Sequence, residues 1–219
     1  MSLPSGNKHA ERSAQTRARF VDAAQRLFAE RSVDSVSLSE ITVAAGQKNR
    51  NALQYHFGNR AGLLQAIIDS HAPRVHAHRQ RIIDAIEQDT PSPASAAARA
   101  LVQPLTDYVV ESPDAIYYVK ILSQVAILNS AMLDPKDQSG FSFQRDKRLY
   151  ALFGDALAHL EPEEIQHRIF LSVTLTFHGI ADICRSTENQ RDESGRRAAL
   201  FDQVILAVES LLAAPALKR

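Results

Sequence analysis

The stretch that most constrains the fold of this chain is residues 37–57, which read SLSEITVAAGQKNRNALQYHF. Ser37 is followed three residues later by Glu40, the spacing of a capping box at the start of a helix. Gly46 then supplies a residue that tolerates positive φ, at which helices commonly end. The stretch therefore predicts two short helices joined by a glycine turn, which is the helix-turn-helix geometry.

The second helix of this pair separates an apolar side from a polar side. Leu53 and Phe57 recur four residues apart and predict the buried side. Asn51 and Tyr55 point away from that side, and Gln54 lies beside them. A helix with such a polar side turned outward can enter the major groove of duplex DNA.

Helical periodicity continues along almost the whole chain, and no alternating strand pattern of useful length occurs. Pro73 either kinks the fourth helix or starts a new one, because proline lacks the helical N–H donor. The expected fold class is all-α. The expected divisions are a flexible N-terminal arm at 1–13, a three-helix domain at 14–60 and a helical body at 61–219.

The distribution of charge fits such a division. The 219 residues include 25 basic and 25 acidic side chains, so the net charge of the whole chain does not indicate a nucleic-acid-binding protein. Residues 8–60 hold nine basic and five acidic side chains, a net +4, which leaves −4 for the rest. A basic N-terminal segment on an acidic body is typical of a DNA-binding domain attached to a body with another task.

The single cysteine, Cys184, excludes an internal disulfide framework and is typical of a small buried side chain. No secretory signal is visible at the N-terminus, and the longest nearly apolar run, 169–181, is too short to span a bilayer. The sequence therefore predicts a cytoplasmic protein without membrane contact.

Residues 15–70 resemble the TetR family of one-component transcriptional repressors. The matching segments are FVDAAQRLFAER at 20–31, SLSEITVAAG at 37–46, YHFGNR at 55–60, and Leu63 with Leu64. Two departures occur. Ten residues separate Gly46 from Phe57 where the family usually has nine, and Ser32 stands where the family often has glycine.

The resemblance implies an N-terminal three-helix helix-turn-helix domain followed by a C-terminal helical domain for ligand binding and dimerisation. It implies a homodimeric, sequence-specific repressor that leaves its palindromic operator when a small-molecule effector enters the body. No enzyme activity, cofactor or metal is expected. Two alternatives stay open: an architectural DNA-binding protein without ligand control, and an all-helical enzyme using His178, Tyr117 and Lys120.

Candidate DNA contacts follow from side-chain chemistry. Amides pair with adenine and a guanidinium pairs with guanine, whereas cations and hydroxyls bind phosphates. The side chains assigned to bases are Asn51, Gln54 and Arg50. Those assigned to phosphates are Lys48, Arg60, Tyr55, Ser37 and Ser39, and Asn49 completes the predicted DNA-binding set. Lys8 and Arg12 on the N-terminal arm either enter a minor groove or belong to a tail without DNA contact.

Two further sets are predicted in the body. Aromatic faces with polar tips suit an effector pocket, although each residue also fits an ordinary core or surface position. The predicted pocket residues are Tyr108, Tyr117, Tyr118, Phe141, Phe143 and His178. Long apolar stripes on the last two helices suit a four-helix bundle formed by two protomers. The predicted dimer residues are Phe170, Val173, Phe177, Val204, Ile205, Val208 and Leu212.

Three histidines near the start of the body, His71, His76 and His78, suggest a metal at first sight. Residues 76 and 78 do not share a helix face, and no cysteine or carboxylate completes a ligand set nearby in the sequence. These three side chains are therefore expected at the solvated surface.

Overall fold

The structure, a computed structural model, describes residues 5–49, 51–89, 91–128, 146–187 and 195–217. Every regular element in these ranges is an α-helix, which confirms the all-α fold class. The helices in chain order are α1 (Ser5–Glu30), α2 (Leu38–Ala44), α3 (Ala52–Phe57), α4 (Arg60–Asp89), α5 (Pro93–Glu111), α6 (Ala115–Leu128), α7 (Lys147–Ala156), α8 (Pro162–Thr187) and α9 (Arg196–Ala213).

The chain divides into two compact units, Met1–Ser70 and His71–Arg219. The boundary falls ten residues later than position 60, which the sequence predicts. The first turns of α4 belong to the N-terminal unit because Leu63, Leu64 and Ile67 are buried there. Pro73 lies inside α4, which continues through it as a single helix to Asp89.

The core of the N-terminal unit is built from one side of each of its helices. Phe20, Ala24 and Phe28 recur at four-residue spacing on α1, and each is 0% exposed. Ile41 from α2 and Leu53 from α3 are buried as well. This small apolar centre fixes the placement of α2 and α3, and hence of their outward side chains.

The helix α1 begins at Ser5, about ten residues before the position that the sequence predicts. Residues 5–13 are therefore helical where the sequence suggested a flexible arm. The apolar pattern that marks a helix starts only at Phe20, and the polar turns before it carry no such periodicity. Helical propensity without an apolar face is a weak signal in a sequence, which explains the difference.

In the C-terminal unit, α5 packs on α7 and α9, and α8 packs on α6 and α9. The helix α7 is fixed at its first turn by Asp146, whose carboxylate accepts hydrogen bonds from the backbone N–H of Arg148 and Leu149 at 3.0 and 3.3 Å. Gln80 of α4 donates a further hydrogen bond to the same carboxylate at 2.9 Å. Polar contacts of this kind order the body around its apolar core.

Across the parts of the chain that the structure describes, none of the helices combines the length and the apolar character needed to cross a bilayer.

Candidate nucleic-acid interface

The capping box that the sequence predicts begins α2. The Ser37 hydroxyl accepts a hydrogen bond from the Glu40 N–H at 3.1 Å, and the Glu40 carboxylate accepts one from the Ser37 N–H at 2.8 Å. The Arg31 guanidinium also donates to Glu40 at 2.6 Å. The hydrogen bond from Arg31, followed by those from Ser37, lowers the pKa of Glu40 to about 2. The start of α2 is therefore held by a carboxylate that stays ionised at neutral pH.

The end of α2 is a Schellman motif. Gly46 has φ of 68°, its N–H donates to the Val43 carbonyl at 2.9 Å, and the Gln47 N–H donates to the Thr42 carbonyl at 3.0 Å. The positive φ explains why glycine stands here. The expected turn is present at the predicted residue.

The connection from α2 to α3 covers residues 45–51, longer than the three or four residues that are typical of this motif. The Asn49 carboxamide oxygen accepts a hydrogen bond from the Asn51 N–H at 2.9 Å, and the Asn49 carbonyl accepts one from Ala52 at 3.1 Å. Asn49 is exposed, but its side-chain oxygen already shapes the turn into α3. Arg50 lies outside the described residues.

The helix α3 turns its polar side outward and its apolar side inward. Leu53 is 1% exposed, whereas Tyr55 is 84% exposed, and Asn51 and Gln54 are exposed as well. The separation of an apolar side from a polar side, which the sequence predicts for this helix, is thus present. Lys48 and Ser39 are also exposed, so these side chains can meet a ligand without any change in the core.

The end of α3 packs on α1 through aromatic rings. The Phe57 ring meets the Phe20 ring edge-on, with centroids 6.0 Å apart, and the His56 ring lies 6.1 Å from Phe20. The guanidinium of Arg17 stands over Phe57, 5.2 Å from the ring centroid. His56 is half-buried in this arrangement, and its ring packs on α1.

Arg60, which the sequence assigns to a phosphate, contacts backbone carbonyls in this structure. Its Nη1 donates to the carbonyl of Val36 at 2.7 Å and also to the carbonyl of Val33. Its guanidinium stands 5.8 Å from the centroid of the Phe28 ring. Arg60 therefore donates to carbonyls in the connection between α1 and α2, because that connection brings both carbonyls within its reach.

In the body, Tyr108 and Tyr118 are buried in a polar cluster that includes His71, a residue outside the predicted pocket set. The His71 Nδ1 lies 2.7 Å from the Tyr108 hydroxyl, and its ring stacks on Tyr118 with centroids 4.5 Å apart. Burial, with a smaller contribution from the charge of Arg74, lowers the pKa of His71 to about 4. His71 is therefore a neutral interior side chain at pH 7.

The expectation of surface histidines is wrong for His71 and His78, which are 5% and 4% exposed. His78 is held by the Glu111 carboxylate, 3.1 Å from its Nε2, and by Arg81, 2.8 Å from its Nδ1. Both histidines contact residues of α5, His71 through Tyr108 and His78 through Glu111. These partners are more than 30 residues away along the chain, so the local sequence does not reveal the burial. Within the described ranges, no group of three or more His, Cys, Asp or Glu side chains could hold a metal.

The remaining predicted pocket residues are Tyr117, His178, Phe141 and Phe143. Tyr117 and His178 are half-buried, on α6 and α8 respectively. Phe141 and Phe143 lie outside the described residues. Cys184 is buried, as the sequence predicts.

Three of the predicted dimer residues need correction. Val204, Val208 and Leu212 are 8%, 0% and 0% exposed within this chain alone, so they belong to its own core. The close approach of α9 to α8 explains their burial, since a Cβ at Gly179 would lie 3.2 Å from a Val204 methyl. The remaining predicted dimer residues are half-buried, namely Phe170, Val173, Phe177 and Ile205.

The apolar side chains that α8 and α9 do expose form a different set. Leu171 and Leu175 on α8 are 48% and 37% exposed, and Leu206 on α9 is 60% exposed. These leucines are absent from the predicted dimer set because an apolar stripe does not reveal which of its members face the same chain.

A capped helix, a glycine-ended turn and a helix with exposed amide and phenol groups define a DNA-binding protein of the helix-turn-helix class. Residues 20–67 match the family described as bacterial regulatory proteins, tetR family. Residues 20–67 therefore form a DNA-binding domain of the TetR family of transcriptional regulators.

Two curated relatives are similar to this chain over part of its length. It is 32% identical over 102 residues to the HTH-type transcriptional regulator TtgR of Pseudomonas putida, which covers 47% of each protein. It is also 32% identical over 102 residues to the probable HTH-type transcriptional regulator ArpR of Pseudomonas putida, again over 47% of each. The chain thus aligns with about half the length of the curated relatives it matches.

Two solved structures align over more of the chain at lower identity. A TetR-family regulator from Streptomyces coelicolor A3 aligns with a TM-score of 0.47 and 16% identity, over 92% of this chain and 96% of that one. RolR in complex with resorcinol aligns with a TM-score of 0.40 and 21% identity, over 95% of this chain and 98% of that one. Both TM-scores are low, so neither alignment bears on function.

Proposed function

We propose that this protein is a sequence-specific repressor that binds a palindromic operator as a homodimer and is released when a small-molecule effector enters its body. The observation that carries the proposal is the outward side of α3. Asn51, Gln54 and Tyr55 are exposed there, while Leu53 holds the helix in the core.

Nothing in the packing of α3 requires the ring of Tyr55 to be exposed to solvent. A tyrosine ring usually buries much of its surface, whereas this one is 84% exposed. Its neighbours Asn51 and Gln54 carry amides that can each pair with adenine, worth about 1–3 kcal/mol of discrimination per good pair. Such a group of exposed side chains on a short helix fits direct readout in a major groove.

In this proposal the dimer interface is formed by the exposed leucines of α8 and α9, because Val204, Val208 and Leu212 are buried within the chain. Leu171, Leu175 and Leu206 present apolar surface that a second copy of the chain can cover. A two-fold dimer would place its two α3 helices about 34–36 Å apart, or a multiple of that distance, on one face of the duplex. The operator would then be palindromic.

The effector is proposed to bind in the helical body, where polar side chains already lie inside. His71, Tyr108 and Tyr118 form hydrogen-bonding and stacking contacts in its interior. Convergent polar groups within apolar walls are typical of small-molecule sites. A ligand that binds only the DNA-released state shifts the population towards release.

The DNA-binding part of the proposal is tested by selection from a library of random duplexes with the full chain. The expected result is a motif with two related half-sites, bound more than about 10³-fold tighter than random DNA. Tyr55→Ala should weaken binding to the selected motif and to random duplexes alike, whereas Tyr150→Ala, which removes a 55% exposed tyrosine from α7, should leave both unchanged. A shallow preference shared by all duplexes would favour an architectural DNA-binding protein instead.

Release is tested on the selected duplex with a library of bacterial metabolites and antibiotics. An effector should dissociate the complex and raise the Tm of the DNA-free protein by mass action. If compounds that raise the Tm never release the DNA, that result would contradict ligand control. The proposed sequence-specific binding of the operator would still stand.

A further inference from the structure

The end of α9 is held by a buried arginine of α8. The side chain is that of Arg168, which is 6% exposed. Its Nη1 donates hydrogen bonds to the carbonyls of Leu211 and Ala214 at 2.6 and 2.8 Å. Its Nη2 donates to the carbonyl of Pro215 and to the carboxylate of Glu164, each at 2.8 Å. We call this group of contacts the Arg168 clamp.

The Arg168 clamp supplies α9 with an ending that differs from the glycine ending of α2. Ala214, which follows α9, is extended, with φ of −62° and ψ of 142°. The last carbonyls of a helix have no partner within the helix and carry partial negative charge. A guanidinium presents its N–H donors in a planar fork, so one side chain can reach several such oxygens. Arg168 therefore fixes the negative end of α9 on the first two turns of α8.

Glu164 balances the charge of the guanidinium inside the protein. It lies one turn before Arg168, and its side chain is 19% exposed. The same carboxylate oxygen accepts a hydrogen bond from the N–H of Leu217 at 3.4 Å. A buried charge is costly unless it is paired and hydrogen-bonded, and here both conditions are met. The clamp therefore joins α8, the end of α9 and the residues that follow α9.

Two further contacts hold the same pair of helices. Midway along α8, a Cβ at Gly179 would lie 3.2 Å from a methyl of Val204 on α9. At the far end, Arg197 of α9 donates to the hydroxyl of Thr187 at 2.9 Å and to its carbonyl at 3.4 Å. Early residues of α8 thus meet late residues of α9, and late residues meet early ones. The two helices form an antiparallel pair that is fixed at both ends and in the middle.

The apolar side chains of the proposed dimer interface lie on this pair, between its two fixed ends. Leu171 follows Arg168 by three residues, and Leu206 precedes Leu211 by five, roughly 4.5 and 7.5 Å along the respective helix axes. We propose that Arg168 is a positioning residue for dimerisation, an inference that rests on the proposed homodimer. Its clamp holds α8 and α9 in the arrangement in which their exposed leucines meet a second copy of the chain.

The clamp acts on affinity because it orders the surface before the two copies meet. A surface that is already ordered loses less conformational freedom on association. If only a fraction of the protomers has the end of α9 docked, the apparent Kd rises in inverse proportion to that fraction. A homodimer needs two docked protomers, so the fraction enters as its square. A docked fraction of about one third would raise the Kd roughly tenfold.

The test measures the dimer Kd of the full chain by sedimentation equilibrium for wild type, Arg168→Lys and Arg168→Ala. Lysine keeps the positive charge, but its compact ammonium cannot reproduce the fork of the guanidinium. The Kd should rise about tenfold for Arg168→Lys and further for Arg168→Ala. In the dilute monomer, hydrogen exchange should accelerate at the amides of the last turn of α9. The first turn, which Arg197 holds, should keep its wild-type exchange rates.

Two controls separate the loss of positioning from the loss of an arginine or of apolar surface. Arg185→Ala removes an arginine of α8 that pairs with Asp182 on the same helix, so the Kd and the exchange rates should stay at wild-type values. Leu206→Ser removes an apolar side chain from the proposed interface. It should raise the Kd without accelerating exchange at the end of α9.

The outcomes distinguish the role of Arg168 from the homodimer itself. A wild-type chain that stays monomeric would overturn both. A wild-type dimer, with Arg168→Lys folded by circular dichroism and at the wild-type Kd, would overturn the positioning role alone. A lower Tm with an unchanged Kd would give Arg168 a structural role only and would have the same consequence. A weaker dimer without faster exchange at the end of α9 would also contradict positioning. If Arg168→Ala does not fold, Arg168→Lys decides between these outcomes.

Discussion

The two units of this protein use their polar aromatic side chains in opposite ways. In the N-terminal unit Tyr55 is 84% exposed, whereas Tyr108 and Tyr118 in the C-terminal unit are 2% and 4% exposed. The buried tyrosines lie against His71, which bonds one and stacks on the other. Tyr55 contacts a neighbouring ring, that of His56, at 5.2 Å and still leaves most of its surface in water.

This contrast teaches how to separate side chains that hold the fold from those available for recognition. A buried polar group must find its partner inside the chain, because burial without a hydrogen bond costs free energy. An exposed polar group on a rigid helix keeps its hydrogen-bonding capacity for a ligand. The contrast predicts that substitutions in the body change stability, while those on the outer side of α3 change binding.

The largest expected effect is the response of the body to acid through His71. Its pKa falls from 6.5 to about 4 on folding, so the folded protein holds this ring neutral while the unfolded chain takes up a proton. Stability is therefore complete above pH 6.5 and decreases as the pH falls towards 4, by about 3 kcal/mol in total. Urea unfolding at pH 7 and at pH 4.5 measures this change.

His71→Gln should flatten that pH dependence, since glutamine does not titrate. The matched control is His167→Gln, which replaces an exposed histidine of α8 and should leave the pH dependence as in the wild type. If His71→Gln retained the full loss between pH 7 and 4.5, the interior histidine would not be the group that titrates.

Next in size is the effect of Arg60→Ala on the N-terminal unit. The substitution removes the guanidinium hydrogen bonds to the carbonyls of Val33 and Val36, at a cost of about 2 kcal/mol in the free energy of unfolding. The slope of log K against log salt for DNA binding should stay at the wild-type value. Calorimetry and a salt titration on the same variant measure both quantities.

Lys48→Ala is the counterpart, because Lys48 is exposed in the connection before α3. It should leave stability within about 0.5 kcal/mol of wild type and make the salt slope shallower by about 0.9. The reverse pattern, with Arg60 affecting the slope and Lys48 the stability, would mean that Arg60 leaves the Val33 and Val36 carbonyls when DNA is bound.

A smaller effect is expected for the capping box of α2. Ser37→Ala removes the hydroxyl that caps the Glu40 N–H and should cost about 1 kcal/mol. The pKa of Glu40 should rise from about 2, because Ser37 is one of the causes of its lowering. An NMR titration of Glu40 measures the pKa, and Ser39→Ala, which replaces a nearby exposed serine, is the control that should change neither quantity.

The depressed pKa of Glu40 also gives the direction of its pH dependence. Its contribution to stability is present above pH 4.5 and is lost as the pH falls towards 2. The pH range over which Glu40 loses its contribution is lower than the range from 6.5 to about 4 over which His71 takes up its proton. Acid should therefore weaken the body before it weakens the start of α2, and a reversed order would contradict the assignment of the two groups.

Local features of the fold were predictable from the sequence, and distant contacts were not. Ser37, Glu40 and Gly46 act within a few residues of themselves, so their spacing predicted both ends of α2. Arg60 bonds a carbonyl 27 residues away, and His71 meets a tyrosine 37 residues away. Such pairs depend on how helices fold back on one another, which spacing does not encode.

The apolar stripes of α8 and α9 show the same limit for the candidate interface. Periodicity identified Val204, Val208 and Leu212 as apolar but could not decide whether their own chain or a second copy covers them. The structure places them in the core and leaves Leu206 exposed. For α3 the prediction was better, because a six-residue helix with one apolar side has its opposite side outward by geometry alone.

The central claim, that the outward side of α3 reads DNA without serving the fold, is tested most directly with Gln54→Ala on the selected duplex and its single-base variants. Discrimination at one base pair of each half-site should fall by about 1–3 kcal/mol, while the free energy of unfolding should stay within about 0.5 kcal/mol of wild type. Unchanged discrimination at every base pair, or a loss of stability that accounts for weaker binding, would contradict it.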